Sequence, residues 1–123
     1  KKKRMGRRYT DLLSNISGIQ LPLVNTDYAE NVYWVYGIVL DKSVELDAKE
    51  AMDQLHKRNI GTRPFFWPMH EQPILKSKGL FAGETYPVAE NIARCGFYLP
   101  SGVTLSDEQM DYVVENLVLI LSS

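Results

Sequence analysis

The sequence predicts an α+β fold in two layers, a small sheet with helices packed on it. Three observations carry that expectation. Helix-period and strand-like segments interleave along the 123 residues instead of forming one long run of either kind. Residues 32–40 (VYWVYGIVL) are apolar throughout, as a strand covered on both sides would be. Two helix starts are written in side-chain chemistry: Asp47 with Glu50, and Ser106 with Gln109, place reciprocal capping partners three residues apart. Composition adds a bound, since 45% hydrophobic and 24% charged residues match an ordinary globular domain. A chain of this length buries about 65% of the surface its unfolded form exposes, enough for a core.

The elements follow in order. Met5, Tyr9, Leu12, Leu13 and Ile16 recur at helical spacing through the first basic stretch, so a helix is expected to reach Asn15 or Ile16, with Gly18 placed to end it in a left-handed cap. A short extended piece over 19–24 follows. In the strand at 32–40, Val32, Trp34, Tyr36 and Ile38 share one face, and Tyr33, Val35, Gly37 and Val39 the other. Asp47 opens a helix with Ala48, Ala51, Met52 and Leu55 as its buried stripe, and Gly61 is expected to stop it. Residues 72–78 have room for one or two helical turns, and Gly79 and Gly83 loosen the chain after them. Pro87 suits the first position of a helix whose inner face is Ala89, Ile92 and Ala93. Phe97, Tyr98 and Leu99, before Pro100, are long enough for a short strand. The last helix starts at Ser106, with Leu105 and Met110 as a hydrophobic staple, and buries Met110, Val113, Val114, Leu117 and Leu121. The chain has no internal repeat, low-complexity stretch or linker rich in proline, glycine or serine.

Residues 58–73 (RNIGTRPFFWPMHEQP) have the composition of a site. If residues 62–67 are extended, Arg63, Phe65 and Trp67 share one side, so a cation and two aromatic rings line one surface. Pro64 cannot donate to a ladder, which makes the segment an edge strand or a bulged one, and Pro68 ends it just before Met69 and His70. The guanidinium fork of Arg63 suits a diphosphate or a carboxylate, or pairs with an acidic helix. Phe65 and Trp67 can stack on a base or a deoxy sugar, and paired strand aromatics serve a core equally well. His70 can titrate or hydrogen-bond near neutral pH, or cap Glu71 or a local carbonyl.

Charge and cysteine content narrow the function classes. Six basic residues, Lys1, Lys2, Lys3, Arg4, Arg7 and Arg8, crowd the first helix, leaving residues 9–123 with 8 basic against 15 acidic residues. The apolar stripe running through that cluster makes it the solvated face of an amphipathic helix, not a nucleic-acid arm. Cys95 is the single cysteine, which excludes an internal disulfide and fits a reducing, cytoplasmic compartment. The apolar run at residues 117–121 falls far short of the ~20 residues a membrane span needs. With no signal peptide expected, the Asn15-Ile16-Ser17 sequon is expected to stay unglycosylated. Two histidines fourteen residues apart with no matching cysteine argue against a metal site, and His56 is expected to be a solvated helix histidine. The first residue is Lys1 and not methionine, so more chain is expected upstream.

GTRPFFWPMHEQP, followed by YPVAENIARCGFYLPSG and SDEQMDYVVENL, resembles the C-terminal part of the DegT-like sugar aminotransferases, most closely the perosamine synthase branch. Upstream, RRYTDLL is similar to the family's helix that leads into its small domain, and NVYWVYGIVL to the strand that follows. The resemblance covers nearly the whole chain. It implies the small domain of a fold-type I enzyme using pyridoxal phosphate (PLP), residues 1–18 being the leading helix and residues 19–123 the α+β body. Such an enzyme places an amino group on a nucleotide-linked 4-keto-6-deoxy sugar, with GDP and the C4 position favoured and glutamate as amino donor. By the same resemblance the full-length enzyme is a homodimer with shared active sites, with no nucleic-acid or membrane partner, and its PLP lysine lies in a large domain that these residues do not include. Arg63, Phe65, Trp67 and His70 are the positions implied to contact the sugar nucleotide or support its pocket.

The lysines agree with that division. A Schiff-base lysine needs an apolar pocket or neighbouring cations to keep its amine neutral. Here Lys1, Lys2 and Lys3 belong to the exposed tip, Lys49 and Lys57 to the polar side of a helix, Lys42 to a turn, and Lys76 and Lys78 to a polar stretch bounded by glycine. No phosphate-cradling glycine motif occurs either. Covalent PLP is therefore not expected on this chain, and no catalytic residue is assigned within it. Two alternatives remain open: a non-catalytic module binding a nucleotide sugar or a protein, and the small domain of a PLP-dependent sugar dehydratase, which carries histidine in place of the cofactor lysine.

Overall fold

A computed structural model describes residues 1–122; Ser123, the last residue of the expected body, lies outside the described residues. The order is α1 (Lys2–Leu13), β1 (Ile19–Gln20), β2 (Tyr36–Leu40), α2 (Ala48–His56), β3 (Arg63–Pro64), a 3-10 turn (Met69–Glu71), α3 (Pro73–Ser77), α4 (Pro87–Cys95), β4 (Gly96–Leu99) and α5 (Asp107–Leu121). The four strands form one antiparallel sheet in the order β1-β2-β4-β3. The two-layer α+β expectation holds. Tyr36, Ile38 and Leu40 of β2 and Phe97 and Leu99 of β4 share a core with Met5, Tyr9 and Leu13 of α1, Ala51 and Leu55 of α2, and Met110, Val113, Leu117 and Ile120 of α5. No helix among the described residues is long and apolar enough to cross a membrane.

The first helix ends at Leu13, short of the expected Asn15 or Ile16; Ser14 still has a right-handed backbone, and beyond it the amide of Ile16 donates to the Leu13 carbonyl in a tighter turn. Gly18 is left-handed at φ 85°, but it serves the turn into β1 and not the helix cap; its carbonyl accepts from the amide of Asp41. The basic face of α1 is paired as well as solvated: Arg4 donates to Asp107 at 2.9 Å, Lys3 to Glu30 at 2.6 Å, and Arg8 to Asp111. Lys2 departs from the exposed tip expected for it, since its half-buried ammonium donates to the carbonyls of Trp34, at 2.7 Å, and Ser101.

The extended piece expected over 19–24 contracts to two paired residues in β1. The central strand pairs only from Tyr36, four residues later than its apolar run suggests. Tyr33 is the cause. Its backbone is left-handed (φ 53°), so the alternation breaks there: Tyr33 is buried against Gly6 and stacked on Tyr36, while Val32 and Trp34 are exposed. A Cβ on Gly6 would come within 2.2 Å of the Tyr33 ring, so the small residue in α1 and the flipped tyrosine require each other.

The capping box of Asp47 and Glu50 opens α2, with Ala48, Ala51 and Leu55 buried and Met52 only half-buried. Gly61 is not its stop. Asn59 takes the left-handed position (φ 60°), with the Asn59 amide donating to His56 O and the Ile60 amide to Leu55 O, a Schellman closure packed by Ile60 and Leu55. Pro87 opens α4 as expected, but Ala89 is exposed. Only the last turn, which runs straight into β4, reaches the core, through Ala93. In α5 the box of Ser106 and Gln109 forms, and the stripe ends on Ile120 with Leu121 half-buried.

Candidate functional site

The face of the sheet turned away from the helices carries Gly37 and Val39 of β2 and Gly96 and Tyr98 of β4. Phe65 lies across it. Its ring is 4.4 Å from that of Tyr98, and Cβ atoms built on Gly37 and Gly96 would fall 2.6 and 2.5 Å from Phe65 ring atoms. Two glycines on neighbouring strands thus clear a space that one aromatic side chain fills. The expected edge strand is present but short: Arg63 and Pro64 alone pair, opposite Tyr98 and Phe97. As the outermost strand, β3 tolerates Pro64, whose missing N–H removes no bond the sheet needs. Leu21, Leu23, Trp34 and Val35 complete a shallow apolar groove of about 310 Å³ along Phe65.

Beyond Phe65 the chain leaves the sheet and is held by α4. Trp67 is 47% exposed, with the Arg94 guanidinium 5.1 Å from its ring centroid, and its carbonyl accepts from Gln72. His70, only 7% exposed, faces inward; its Nε2 is 2.8 Å from Glu90 Oε1 and its ring lies 4.8 Å from that of Tyr86. Arg94 Nη2 donates to both carboxylate oxygens of Glu71, at 2.8 and 3.0 Å. Glu90 also accepts from the backbone amide of Tyr86, and that bond, followed by the one to His70, holds its carboxyl below the ordinary carboxylate value.

The four expected positions therefore separate. Phe65 lies on the open sheet face, Trp67 and His70 lie against α4, and Arg63 lines a different hollow with Asp53, His56 and Thr62. Arg63 is exposed, and no acidic side chain pairs with it among the described residues. His56 is solvent-exposed as expected. Glu90 and Arg94 went unrecognised in the sequence. Glu90 had a weak signal: it is an acidic residue in the first turn of the helix that Pro87 opens, four residues after Tyr86 and one past the capping-box position. For Arg94 there was none, because its partners Trp67 and Glu71 are 27 and 23 residues away.

His70, Glu71 and Glu90 offer ligand atoms within 4.8 Å of one another; Arg94 donates to Glu71, and Glu90 accepts from the Tyr86 amide and pairs with His70. Lys2 is engaged by two carbonyls, Lys3 by Glu30 and Lys49 by Asp53, and Lys1, Lys42, Lys57, Lys76 and Lys78 are exposed. What the surface does offer is aromatic faces, an exposed guanidinium and a rigid buried histidine.

Residues 1–118 match the model of the DegT/DnrJ/EryC1/StrS aminotransferase family. The chain is 33% identical over 87 residues to the GDP-perosamine synthase of Escherichia coli O157:H7, covering 71% of this chain and 22% of that protein. It is 27% identical over 121 residues to the putative pyridoxal phosphate-dependent aminotransferase EpsN of Bacillus subtilis, covering 96% of this chain and 30% of that one. Its fold is that of the putative sugar aminotransferase Spr1654 from Streptococcus pneumoniae in the PLP form, with a TM-score of 0.86 at 21% identity over 98% of this chain and 30% of that structure. The chain thus spans less than a third of the length of the relatives it matches.

Proposed function

The chain belongs to the DegT/DnrJ/EryC1/StrS aminotransferase family, and on that premise we propose that it is the C-terminal small domain of a PLP-dependent nucleotide-sugar aminotransferase. The observation that carries the reading is the aromatic wall, Phe65 fixed across Gly37 and Gly96 with Trp67 exposed beside it, within a family whose members act on sugars. A 4-keto-6-deoxy sugar has an apolar face that such rings can hold, and a diphosphate matches the unpaired fork of Arg63. Similarity to two GDP-perosamine synthases, at 33% and 32% identity, favours a GDP-linked substrate and amination at C4. Glutamate is the proposed amino donor and a homodimer the proposed assembly.

In this division of labour the residues of the chain bind and orient. Phe65 and Trp67 present ring faces to the substrate, Arg63 takes its charged end, and His70, held by Glu90, supports the wall from behind. The cofactor supplies the electron sink for moving the amino group, from a lysine outside these residues. The test is kinetic. In the full-length enzyme, Arg63→Ala and His70→Ala should each lower kcat/KM for the sugar nucleotide at least tenfold, roughly the worth of one charge-assisted hydrogen bond, with a smaller effect on stability. Unchanged kinetics in both would end the assignment.

A further inference from the structure

The wall segment makes few bonds of its own. Residues 65–72 hold one 3-10 turn and the bond from Gln72 to the Trp67 carbonyl, and the side chains of Trp67, His70 and Glu71 are each held by Glu90 or Arg94 of α4. Glu90 and Arg94 are one helical turn apart, and Arg94 Nη1 also donates to the Glu90 carbonyl, so both project from one stretch of helix toward the segment. Glu90 ties His70 to the amide of Tyr86 at the start of α4; Arg94 holds both Glu71 oxygens through Nη2 and covers Trp67 with its cationic plane.

We infer that Glu90 and Arg94 are positioning residues for the sugar-nucleotide wall, setting where Trp67 and His70 stand without touching substrate themselves. The inference rests on the reading of that wall as the substrate surface. Its physical basis is that an exposed tryptophan and a short turn have many rotamers and backbone states open to them, and two directional contacts from a helix remove most of those states before substrate arrives. Because α4 runs directly into β4, whose Gly96 and Tyr98 hold Phe65, the same unit sets the position of all three aromatic and imidazole rings.

The experiment is steady-state kinetics of the full-length enzyme with a GDP-linked 4-keto-6-deoxy sugar, comparing Arg94→Met, Arg94→Lys, Glu90→Gln and Trp67→Ala. Arg94→Met and Glu90→Gln should raise the KM for the sugar nucleotide roughly tenfold, leaving the KM for the amino donor unchanged and kcat within about twofold. Arg94→Lys restores charge but neither fork nor planar stacking, and should recover less than half of the loss on a logarithmic scale. A merely structural role would move both KM values and the melting temperature together. An unchanged sugar KM in Arg94→Met and Glu90→Gln, with a raised one in Trp67→Ala, would overturn the inference and spare the wall. An unchanged sugar KM in Trp67→Ala would remove the wall and the inference with it. If Glu90→Gln folds poorly, Arg94→Met at its exposed position decides.

Discussion

Phe65 keeps its place because two glycines leave room for it. Neither Gly37 nor Gly96 needs a left-handed backbone, so their absence of a side chain answers to sterics alone. Gly96→Ala would drive a methyl group to 2.5 Å from the ring and 2.6 Å from the Ile92 carbonyl, and should destabilise the fold by about 1–3 kcal/mol by urea unfolding, as overpacking does. No sequence pattern announces such a partnership, since Phe65 and its two glycines are 28 and 31 residues apart. The buried tyrosines make a second residue-scale prediction. Burial pushes the Tyr36 hydroxyl up to about 12 from 10.0, and Tyr9 is raised in the same direction and for the same cause. Above pH 10 the unfolded chain therefore releases protons that the folded one retains. Stability contributed by these hydroxyls is complete below pH 10 and is lost as pH rises through 12, so the midpoint of urea unfolding should fall steeply over that interval and stay level from pH 8 to 9.5.

At the scale of elements, what was legible follows from local chemistry. Both capping boxes form as their residues prescribe, and Asp47→Ala or Ser106→Ala should each remove about 1 kcal/mol of stability, read from the shift in unfolding midpoint. Helix ends and strand starts were less legible because their causes are distant or atypical. Asn59 closes α2 where Gly61 was expected, and Asn59→Gly should be neutral or slightly stabilising while Gly61→Ala changes little, since nothing lies within 4 Å of a Cβ there. The late start of β2 comes from Tyr33 turning onto Gly6, a contact across 27 residues. Gly6→Ala, which improves helix propensity on its own, should nonetheless destabilise the fold by displacing that ring.

Across the whole molecule, one layer of helices and one sheet leave the opposite sheet face uncovered, with Phe65, Tyr98 and Trp34 along it and Phe66, Trp67 and Met69 exposed nearby. The fold class was readable from the interleaving of elements and from the motifs that resemble the sugar aminotransferases. The separation of Arg63 from Phe65 and the role of α4 were not, because they depend on how an irregular segment leaves the sheet. Phe65 and Trp67 are proposed to form the wall against which a sugar nucleotide binds. The most direct test is the dissociation constant of a GDP-linked 4-keto-6-deoxy sugar, measured by calorimetry on the full-length enzyme and on its Phe65→Ala and Trp67→Ala variants. Each variant should weaken binding by roughly 5- to 50-fold, the worth of a lost aromatic contact, with Phe65→Ala also melting at a lower temperature because it empties the space over Gly37 and Gly96. Wild-type affinity in both variants would contradict the proposal.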